Sequence, residues 1–245
     1  MGALLIVEGG VNHEGSLQLA KDMMYAAKAA GASIFKWQLY DPFTFLKEDH
    51  ALYPKRTGVK EVMDSWLDLI KYGHELNMLV GFSIFSKDYL IAHKYSDFIK
   101  IAARQLDDIP NLLDYMLFIN EVSQDKTIFV SYREDQNLKN LLPVFINKKT
   151  YFLCVVSQYP TPHERAISCI DTASTKHMEE YWGYSCHTPD PNIIYYAVQK
   201  GASLFEVHFT LDKEQSLFRD HKCSFDYEEL QDLIIGLNNI EVLLH

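Results

Sequence analysis

The sequence is poor in cysteine, in glycine and proline, and in positive charge. Its 245 residues include 4 Cys, 11 Gly and 8 Pro, and 23 Lys and Arg stand against 33 Asp and Glu. The net charge of −10 argues against nucleic acid or an anionic membrane as the main partner. The cysteines lack the paired spacing of a disulfide framework or a structural zinc site, so we expect a reduced, cytoplasmic protein. They are Cys154, Cys169, Cys186 and Cys223.

Long apolar runs are absent as well. No stretch approaches the roughly 18 residues that a membrane-spanning helix needs. Residues 1–7 form a short apolar run without a basic leader, which we interpret as a first strand and not as a signal peptide. With 48% hydrophobic and 13% aromatic residues, the composition is that of a globular protein with a large core. Disordered, collagen-like and coiled-coil classes are thereby excluded.

Strand-like segments recur along the whole chain. They are rich in β-branched and aromatic residues at consecutive positions, which is typical of strands buried on both faces. The eight segments are residues 4–10, 33–39, 79–85, 98–103, 127–132, 151–157, 181–187 and 204–210. Apolar residues at helical spacing separate them, most clearly after the predicted N-cap Ser16, in a stripe at 62–73, and after the predicted cap Asp226. Less regular connections at 87–96, 111–121, 134–145, 163–177 and 192–201 are compatible with helices.

Strand–helix alternation over the full length predicts the α/β class and a parallel sheet with helical crossovers. Eight units in 245 residues fit a closed (β/α)₈ TIM barrel better than an open sheet. No linker is visible, so we predict a single domain that spans residues 1–245.

Polar residues interrupt the ends of these strands, which is where a barrel of this kind carries its site. Side chains alternate along a strand, so Ser185 shares a face with His187, and Glu206 with His208, while Cys186 and Val207 face the helices. Each polar residue alone is more often a solvated loop residue or a core histidine, but buried charges are costly unless they are paired or bound to a ligand. Their convergence predicts a site in which His187 and His208 reach one ion. The other candidates are Glu8, Lys36, Gln38, Ser83, Lys100, Arg104, Ser131, Ser157 and Tyr159. Histidines outside this set, including His50, His74, His93 and His163, are interpreted as surface residues.

Six segments, in this order, resemble the sialic acid (N-acetylneuraminate) synthase family. They are VEGGVNHEGS at 7–16, FKWQ at 35–38, IKIA at 99–102, SQYPTP at 157–162, GYSCHT at 183–188 and EVHFT at 206–210. The run DHK at 220–222 resembles the loop after the eighth strand of that family. The resemblance covers residues 4 to about 230.

The resemblance implies a transferase that condenses phosphoenolpyruvate with an N-acyl aldohexosamine such as N-acetylmannosamine. A nonulosonic (sialic) acid and phosphate are released, in carbohydrate biosynthesis for surface glycans, and a divalent metal, Mn²⁺ or Mg²⁺, is required. His187 and His208 match the metal ligands, and Glu8 matches a carboxylate that faces the reacting carbons. Lys36 and Lys100 match residues that hold the carboxylate and phosphate of phosphoenolpyruvate. The predicted substrate-binding residues are Gln38, Ser83, Arg104, Ser131, Ser157, Tyr159, Ser185, Glu206 and Asp220.

The sequence also departs from the family pattern near the phosphate. The family commonly has Gly-Ser-Gly-Glu after the fourth-strand lysine, where this chain has AARQ at 102–105. It has Ser-Thr-Gly-Met and Ser-Thr-Pro-Phe where this chain has SYRE at 131–134 and FSIF at 82–85, and an aspartate in place of Cys186. Arg104 or Arg133 can offset the lost phosphate contacts, because a guanidinium suits phosphate, or both are ordinary loop arginines.

Full-length members of the family carry a small C-terminal domain that resembles antifreeze proteins and reaches over the partner subunit's site. We expect a short form without this domain, in which a homodimer or a separate chain supplies the lid, the substrate differs, or no lid is used. Two alternatives to the sialic-acid-like synthase stay open. One is a barrel that has lost catalysis and acts as a binding or regulatory partner, and the other is a phosphoenolpyruvate-using synthase with a different aldehyde.

Overall fold

The computed structural model describes residues 3–122, 125–136, 149–176, 181–214 and 219–243. Within these ranges, eight parallel strands form one closed barrel in which each strand pairs with the next and β8 pairs with β1. The strands are β1 Leu4–Gly10, β2 Ile34–Leu39, β3 Leu79–Ile84, β4 Phe98–Ile101, β5 Thr127–Tyr132, β6 Thr150–Val155, β7 Trp182–Cys186 and β8 Leu204–His208. The predicted (β/α)₈ TIM barrel is therefore confirmed.

Helices and short 3₁₀ segments connect the strands on the outside of the barrel. The helices of the described ranges are α1 Leu17–Ala29, α2 Pro42–Phe45, α3 Arg56–Asp64, α4 Trp66–Glu75, α5 Ile109–Val122, α6 His163–Lys176, α7 Pro191–Gln199, α8 Arg219–Cys223 and α9 Tyr227–Leu243. The 3₁₀ segments are Tyr53–Lys55, Lys87–Lys94 and Ala103–Asp107. Of the connection predicted to be helical at 134–145, residues 137–145 lie outside the described residues. None of the described helices is long and apolar enough to cross a membrane.

Local capping explains where two of these helices begin. The Ser16 side chain accepts a hydrogen bond from the Leu19 amide at 3.2 Å, as predicted for the N-cap of α1. Asp226 and Glu229 exchange backbone-to-carboxylate hydrogen bonds of 3.0 Å and form a capping box at the start of α9. The apolar stripe predicted at helical spacing over 62–73 lies on two helices. It is divided between α3 and α4 at Ser65, whose hydroxyl bonds the Glu61 carbonyl at 2.8 Å.

Inside the barrel, the side chains change character along the strands. Towards the amino-terminal ends lies the apolar layer, a buried cluster of Ile6, Ile34, Phe98, Phe129, Leu153 and Leu204. Two residues further along five of these strands lies the polar layer, which consists of Glu8, Lys36, Lys100, Ser131 and Glu206. Cys186 and Val207 point outward and pack in the larger core between the strands and the helices, as the alternation predicts.

Candidate active site

A cavity of about 530 Å³ opens at the carboxyl ends of the strands. All the predicted catalytic, metal-binding and substrate-binding side chains line it, whereas Arg133, the second candidate for the phosphate contacts, does not. The lining candidates are Glu8, Lys36, Gln38, Ser83, Lys100, Arg104, Ser131, Ser157, Tyr159, Ser185, His187, Glu206, His208 and Asp220. Strand alternation and barrel closure bring them together, because inward-facing positions of parallel strands meet at one end of the barrel.

Two lysines and two glutamates form the buried centre of this cavity. The Lys36 ammonium contacts the Glu8 carboxylate and lies 3.0 Å from Ser83 Oγ and 3.8 Å from Glu206 Oε2. On the other side of Glu206, the Lys100 ammonium lies 3.5 Å from Oε1. All four charged side chains are buried, so their charges offset one another within the barrel.

Serines add hydrogen bonds to this charged network, although the buried Glu206 Oε2 has no hydrogen-bond partner among the described residues. Ser131 Oγ lies 2.8 Å from Lys100 Nζ, and Ser185 Oγ donates to Glu206 Oε1 at 2.9 Å. Serine hydroxyls can serve either as donors or as acceptors, so they suit both charge types. The positions of the ammonium and carboxylate groups are thus set before any ligand binds.

Burial and mutual attraction tune the pKa values of these groups. Burial lowers the pKa of Lys36 to about 7, against an opposing attraction from Glu206. Burial also lowers the pKa of Lys100. For Glu206, burial raises the pKa, but the attraction of Lys100 and Lys36 outweighs it and lowers the pKa to about 2. Glu206 therefore stays ionised, and Lys36 can release and take up a proton near neutrality.

The end of β1 is shaped by Gly10. Its amide donates to Glu8 Oε1 at 2.6 Å, and the pairing register of β1 with β2 shifts between Glu8 and Gly10. Gly10 has a φ of +54°, and a Cβ there would lie 3.1 Å from Asp220 Oδ2 and 3.3 Å from His208 Nδ1. Glycine at this position orients the Glu8 carboxylate and leaves room for the two neighbouring side chains.

The two candidate metal ligands face each other across the end of the barrel. The ring centroids of His187 and His208 are 5.4 Å apart, and Tyr159 stacks on His187 at 4.0 Å. Burial lowers the pKa of His187 to about 4, and burial together with the neighbouring His187 holds the pKa of His208 well below its usual range. Both imidazoles are therefore neutral at physiological pH, as metal binding requires.

The hydrogen bonds of these rings fit a divalent metal. His187 Nδ1 lies 2.8 Å from the Val156 carbonyl, which as acceptor fixes the proton on Nδ1 and leaves the lone pair on Nε2. His208 Nδ1 is buried, and no hydrogen-bond partner lies among the described residues, although Asp220 Oδ2 is 4.0 Å away. The described ranges contain no cluster of three or more His, Cys, Asp or Glu placed to hold a metal. A metal bound here would therefore have His187 and His208 as its protein ligands.

The two arginines named from the sequence lie in different surroundings. The guanidinium of Arg104 lies 4.4 Å from the ring centre of Phe45 and 4.9 Å from that of Phe85, and Arg104 lines the cavity. Arg133 instead forms a bidentate ion pair with Asp107 at 2.6 and 3.1 Å and contacts Asp135 at 3.1 Å. It does not line the cavity.

Sequence reasoning missed part of the cavity wall and misplaced one histidine. Tyr40, Phe45 and Asp49, from the irregular segment after β2, line the cavity, and no periodic signal marks them. The interpretation of His93 as a surface residue is wrong, because His93 is fully buried and hydrogen-bonded to the Tyr115 hydroxyl. Burial lowers its pKa to about 3. His93 lies in a 3₁₀ segment between two strands, where the alternation of a strand does not predict which side chains are buried.

These features define a (β/α)₈ barrel with a polar site at the carboxyl ends of its strands. The chain belongs to the NeuB family, whose pattern matches residues 23–245, and the predicted sialic acid synthase family is confirmed. It is 28% identical over 269 residues to N,N'-diacetyllegionaminic acid synthase of Legionella pneumophila, covering 100% of this chain and 74% of the relative. It is 31% identical over 261 residues to N-acetylneuraminate-9-phosphate synthase of Drosophila melanogaster, covering 97% and 68%.

A solved structure supports the same relationship. The crystal structure of an N-acetylneuraminic acid (sialic acid) synthetase from Leptospira borgpetersenii, in complex with citrate, superposes with a TM-score of 0.84 at 25% identity. The match covers 100% of this chain and 85% of that chain.

Proposed function

We propose that this protein condenses phosphoenolpyruvate with an N-acyl aldohexosamine to give a nonulosonic acid and phosphate. The observation that carries this proposal is the meeting of Glu8, Lys36, Lys100, His187 and His208 in one cavity. The names of the relatives, which are synthases of legionaminic and neuraminic acids, support the same product class.

Lys36 and Lys100 bind the anionic donor in this proposal. Phosphoenolpyruvate carries a carboxylate and a phosphate, and a charge-assisted hydrogen bond from a buried ammonium is stronger than a neutral one. Ser83 and Ser131 hold the two ammonium groups at 3.0 and 2.8 Å, so little rearrangement is needed on binding. Glu206, ionised between the lysines, attracts both ammonium groups and also faces the acceptor sugar.

Glu8 acts on the reacting carbons. When the methylene carbon of the enol attacks the aldehyde, positive charge develops on the carbon that bears the phosphate. A buried carboxylate close to that carbon stabilises the charge. Water then adds to that carbon and loses a proton to Glu8, while the former aldehyde oxygen takes up a proton. The carbon–oxygen bond to the phosphate then breaks, which releases phosphate and leaves the ketone of the product.

His187 and His208 would hold the divalent ion. Once bound, Mn²⁺ or Mg²⁺ supplies Lewis acidity that orients the sugar and polarises its aldehyde oxygen. Two imidazole ligands favour Mn²⁺, because Mg²⁺ prefers an all-oxygen shell. Gln38, Tyr159 and Asp220 then bind the hydroxyl and amide groups of the acceptor, and Ser157 and Ser185 line the same cavity.

The direct test is an assay of phosphate release. The protein is incubated with phosphoenolpyruvate, Mn²⁺ and a panel of N-acyl hexosamines, and release that depends on one of the sugars is expected. A folded sample that releases no phosphate with any sugar would contradict the proposal.

A second prediction concerns the metal ligands. The double variant His187→Ala/His208→Ala is expected to abolish Mn²⁺ binding measured by calorimetry, while its circular dichroism spectrum stays that of the wild type. His163→Ala, at an exposed position outside the cavity, is the matched control and should bind Mn²⁺ as the wild type does. Unchanged binding by the double variant rejects these ligands.

A further inference from the structure

One carboxylate of the cavity, that of Asp220, comes from a short helix and not from a strand. Asp220 lies in α8, a helix of 5 residues between β8 and α9. The side chain is buried, and its Oδ2 atom is 4.0 Å from His208 Nδ1. A barrel strand fixes the direction of each side chain, but a short helix within a connection needs other contacts to do so. The place of this carboxylate is therefore set by residues around α8.

Serine and asparagine side chains hold the backbone of this helix. Ser224 Oγ donates to the Asp220 carbonyl at 2.6 Å and accepts from Asn12 Nδ2 at 2.9 Å. Asn12 comes from the loop after β1 and also donates to the Phe209 carbonyl at 2.9 Å. Ser224 and Asn12 are both buried. These hydrogen bonds join the backbone of α8 to the loops that follow β1 and β8.

His221 makes a second connection between α8 and the same two loops. Its Nδ1 atom shares a hydrogen bond of 2.8 Å with the hydroxyl of Thr210, two residues after β8. On the opposite side of the ring, Nε2 lies 3.3 Å from Glu14 Oε1, in the loop after β1. The Lys55 ammonium contacts the other oxygen of that carboxylate. His221 is buried, is adjacent to Asp220 in the chain and does not line the cavity.

The order of carboxylate, imidazole and hydroxyl also occurs where a histidine activates a nucleophile. Here the hydroxyl belongs to Thr210, which is 1% exposed and does not line the cavity. A substrate in the cavity cannot reach that oxygen. The arrangement instead immobilises the imidazole, because a ring with contacts at both nitrogens cannot rotate without losing them.

We propose that His221 is a positioning residue that sets the place of the Asp220 carboxylate at the acceptor side of the cavity. This inference rests on the proposed function, in which Asp220 binds polar groups of the acceptor sugar. The two residues are consecutive, so a shift of the imidazole also moves the backbone that carries the carboxylate. Glu14, Thr210 and His221 do not line the cavity, so they act through Asp220.

The central experiment compares wild type with His221→Ala in the assay of phosphate release. A hydrogen bond to a charged group strengthens binding by about ten- to a hundredfold, and a carboxylate displaced by about 1 Å loses much of that. We expect the KM of the acceptor sugar to rise by about tenfold, with kcat and the calorimetric Kd of phosphoenolpyruvate within about twofold of wild type. An unchanged KM in the folded variant overturns the proposal, and so does an equal rise in the Kd of phosphoenolpyruvate.

A double-variant cycle tests whether His221 acts through Asp220. Asp220→Asn removes the charge of the carboxylate and keeps the shape of the side chain. The effects of two residues that act through one group are not additive. Adding His221→Ala to Asp220→Asn should therefore change the KM of the acceptor by less than about twofold. A further rise equal to that of the single variant would show independent action and overturn the assignment.

Two further variants separate positioning from a general loss of stability. Thr210→Val removes the hydroxyl that His221 contacts, and it should raise the same KM by a smaller factor. It carries the test if His221→Ala folds poorly, and an unchanged KM in that case contradicts the proposal. His93→Ala is the matched control, because His93 is equally buried but is hydrogen-bonded to Tyr115. It should lower the urea midpoint and leave the KM unchanged, whereas an equal rise in KM would overturn the assignment.

These outcomes are separable from those of the proposed function. Absence of phosphate release by the wild type contradicts the function. Crystal structures of the wild type and of His221→Ala decide the inference without turnover. The Asp220 carboxylate should move by about 1 Å or more relative to His208, while the inward-facing side chains of the strands superpose. A carboxylate that keeps its distance of 4.0 Å from His208 Nδ1 in the variant overturns the inference.

Discussion

The apolar and polar layers of the barrel occupy the same strands, two residues apart. Ile6 precedes Glu8, Ile34 precedes Lys36, Phe98 precedes Lys100, Phe129 precedes Ser131, and Leu204 precedes Glu206. Backbone, register and burial are shared, so the two layers differ in side-chain chemistry alone. The apolar layer stabilises the fold through burial of apolar surface, whereas the polar layer lowers stability because its charges are removed from water. Stability and chemistry are thus divided by position along each strand.

The largest expected effect breaks the apolar layer. Phe129 packs edge-to-face on Phe98 at 5.4 Å between ring centres and stacks on Tyr151 at 5.9 Å. Phe129→Ala leaves a cavity there and should lower the free energy of unfolding by about 3–5 kcal/mol. Phosphate release per folded molecule should stay within about twofold, because Lys100 and Ser131 are untouched.

Urea unfolding and an activity assay on the same samples check this prediction. Phe129→Leu, which keeps most of the apolar volume, is the matched control and should cost less. A large loss of activity in both variants would show that the two layers are not separable.

The next effect removes charge from the polar layer. Lys100→Met combined with Glu206→Leu replaces a buried ion pair by apolar side chains, which is neutral or stabilises by about 1–4 kcal/mol. Phosphate release should be abolished, because the double variant loses both Lys100, which binds phosphoenolpyruvate in the proposed function, and the neighbouring Glu206. The single variant Lys100→Met leaves Glu206 with one cationic partner fewer and should be less stable than the double variant, as urea unfolding would show. A double variant that is much less stable than the wild type would mean that the polar layer also supports the fold.

The last prediction concerns a residue outside both layers whose burial makes the fold sensitive to acid. Burial lowers the pKa of His93 from 6.5 to about 3, so between these values the unfolded state binds the extra proton. Stability is therefore lost as the pH falls below 6.5, by about 1.4 kcal/mol per pH unit for this one group. His93→Gln should show a correspondingly shallower decline in the free energy of unfolding between pH 6.5 and 4. Tyr115→Phe keeps the buried imidazole and should keep the wild-type slope, and equal slopes for all three proteins would contradict the assignment.

Strand periodicity predicts the features that depend on local sequence. The eight strands, the barrel and the inward positions of Lys36 and Glu206 follow from alternation, because a strand fixes the direction of each side chain. The family follows from ordered segments such as 183–188. The roles of the candidate residues stay predictions, although the structure brings these side chains to one cavity.

Features that depend on long-range packing could not be predicted from the sequence. His93 is buried because its 3₁₀ segment packs against α5. The sequence of neither segment predicts this contact. The different surroundings of Arg104 and Arg133 depend on Phe45, which comes from a distant irregular segment, and on Asp107. Pairwise contacts of this kind leave no periodic pattern along the chain.

The pairing of β1 with β8 places Glu8 opposite His208, although 200 residues separate them in the chain. Contacts at such sequence separation carry the largest loop-closure entropy and are slow to form during folding. Before the barrel closes, the pairing of β2 with β3 can already bring Lys36 near Ser83. Glu8 and His208 come together only when β1 pairs with β8. The proposed catalysis therefore requires ring closure, and we expect partly folded chains to bind neither the proposed metal nor the proposed substrates productively.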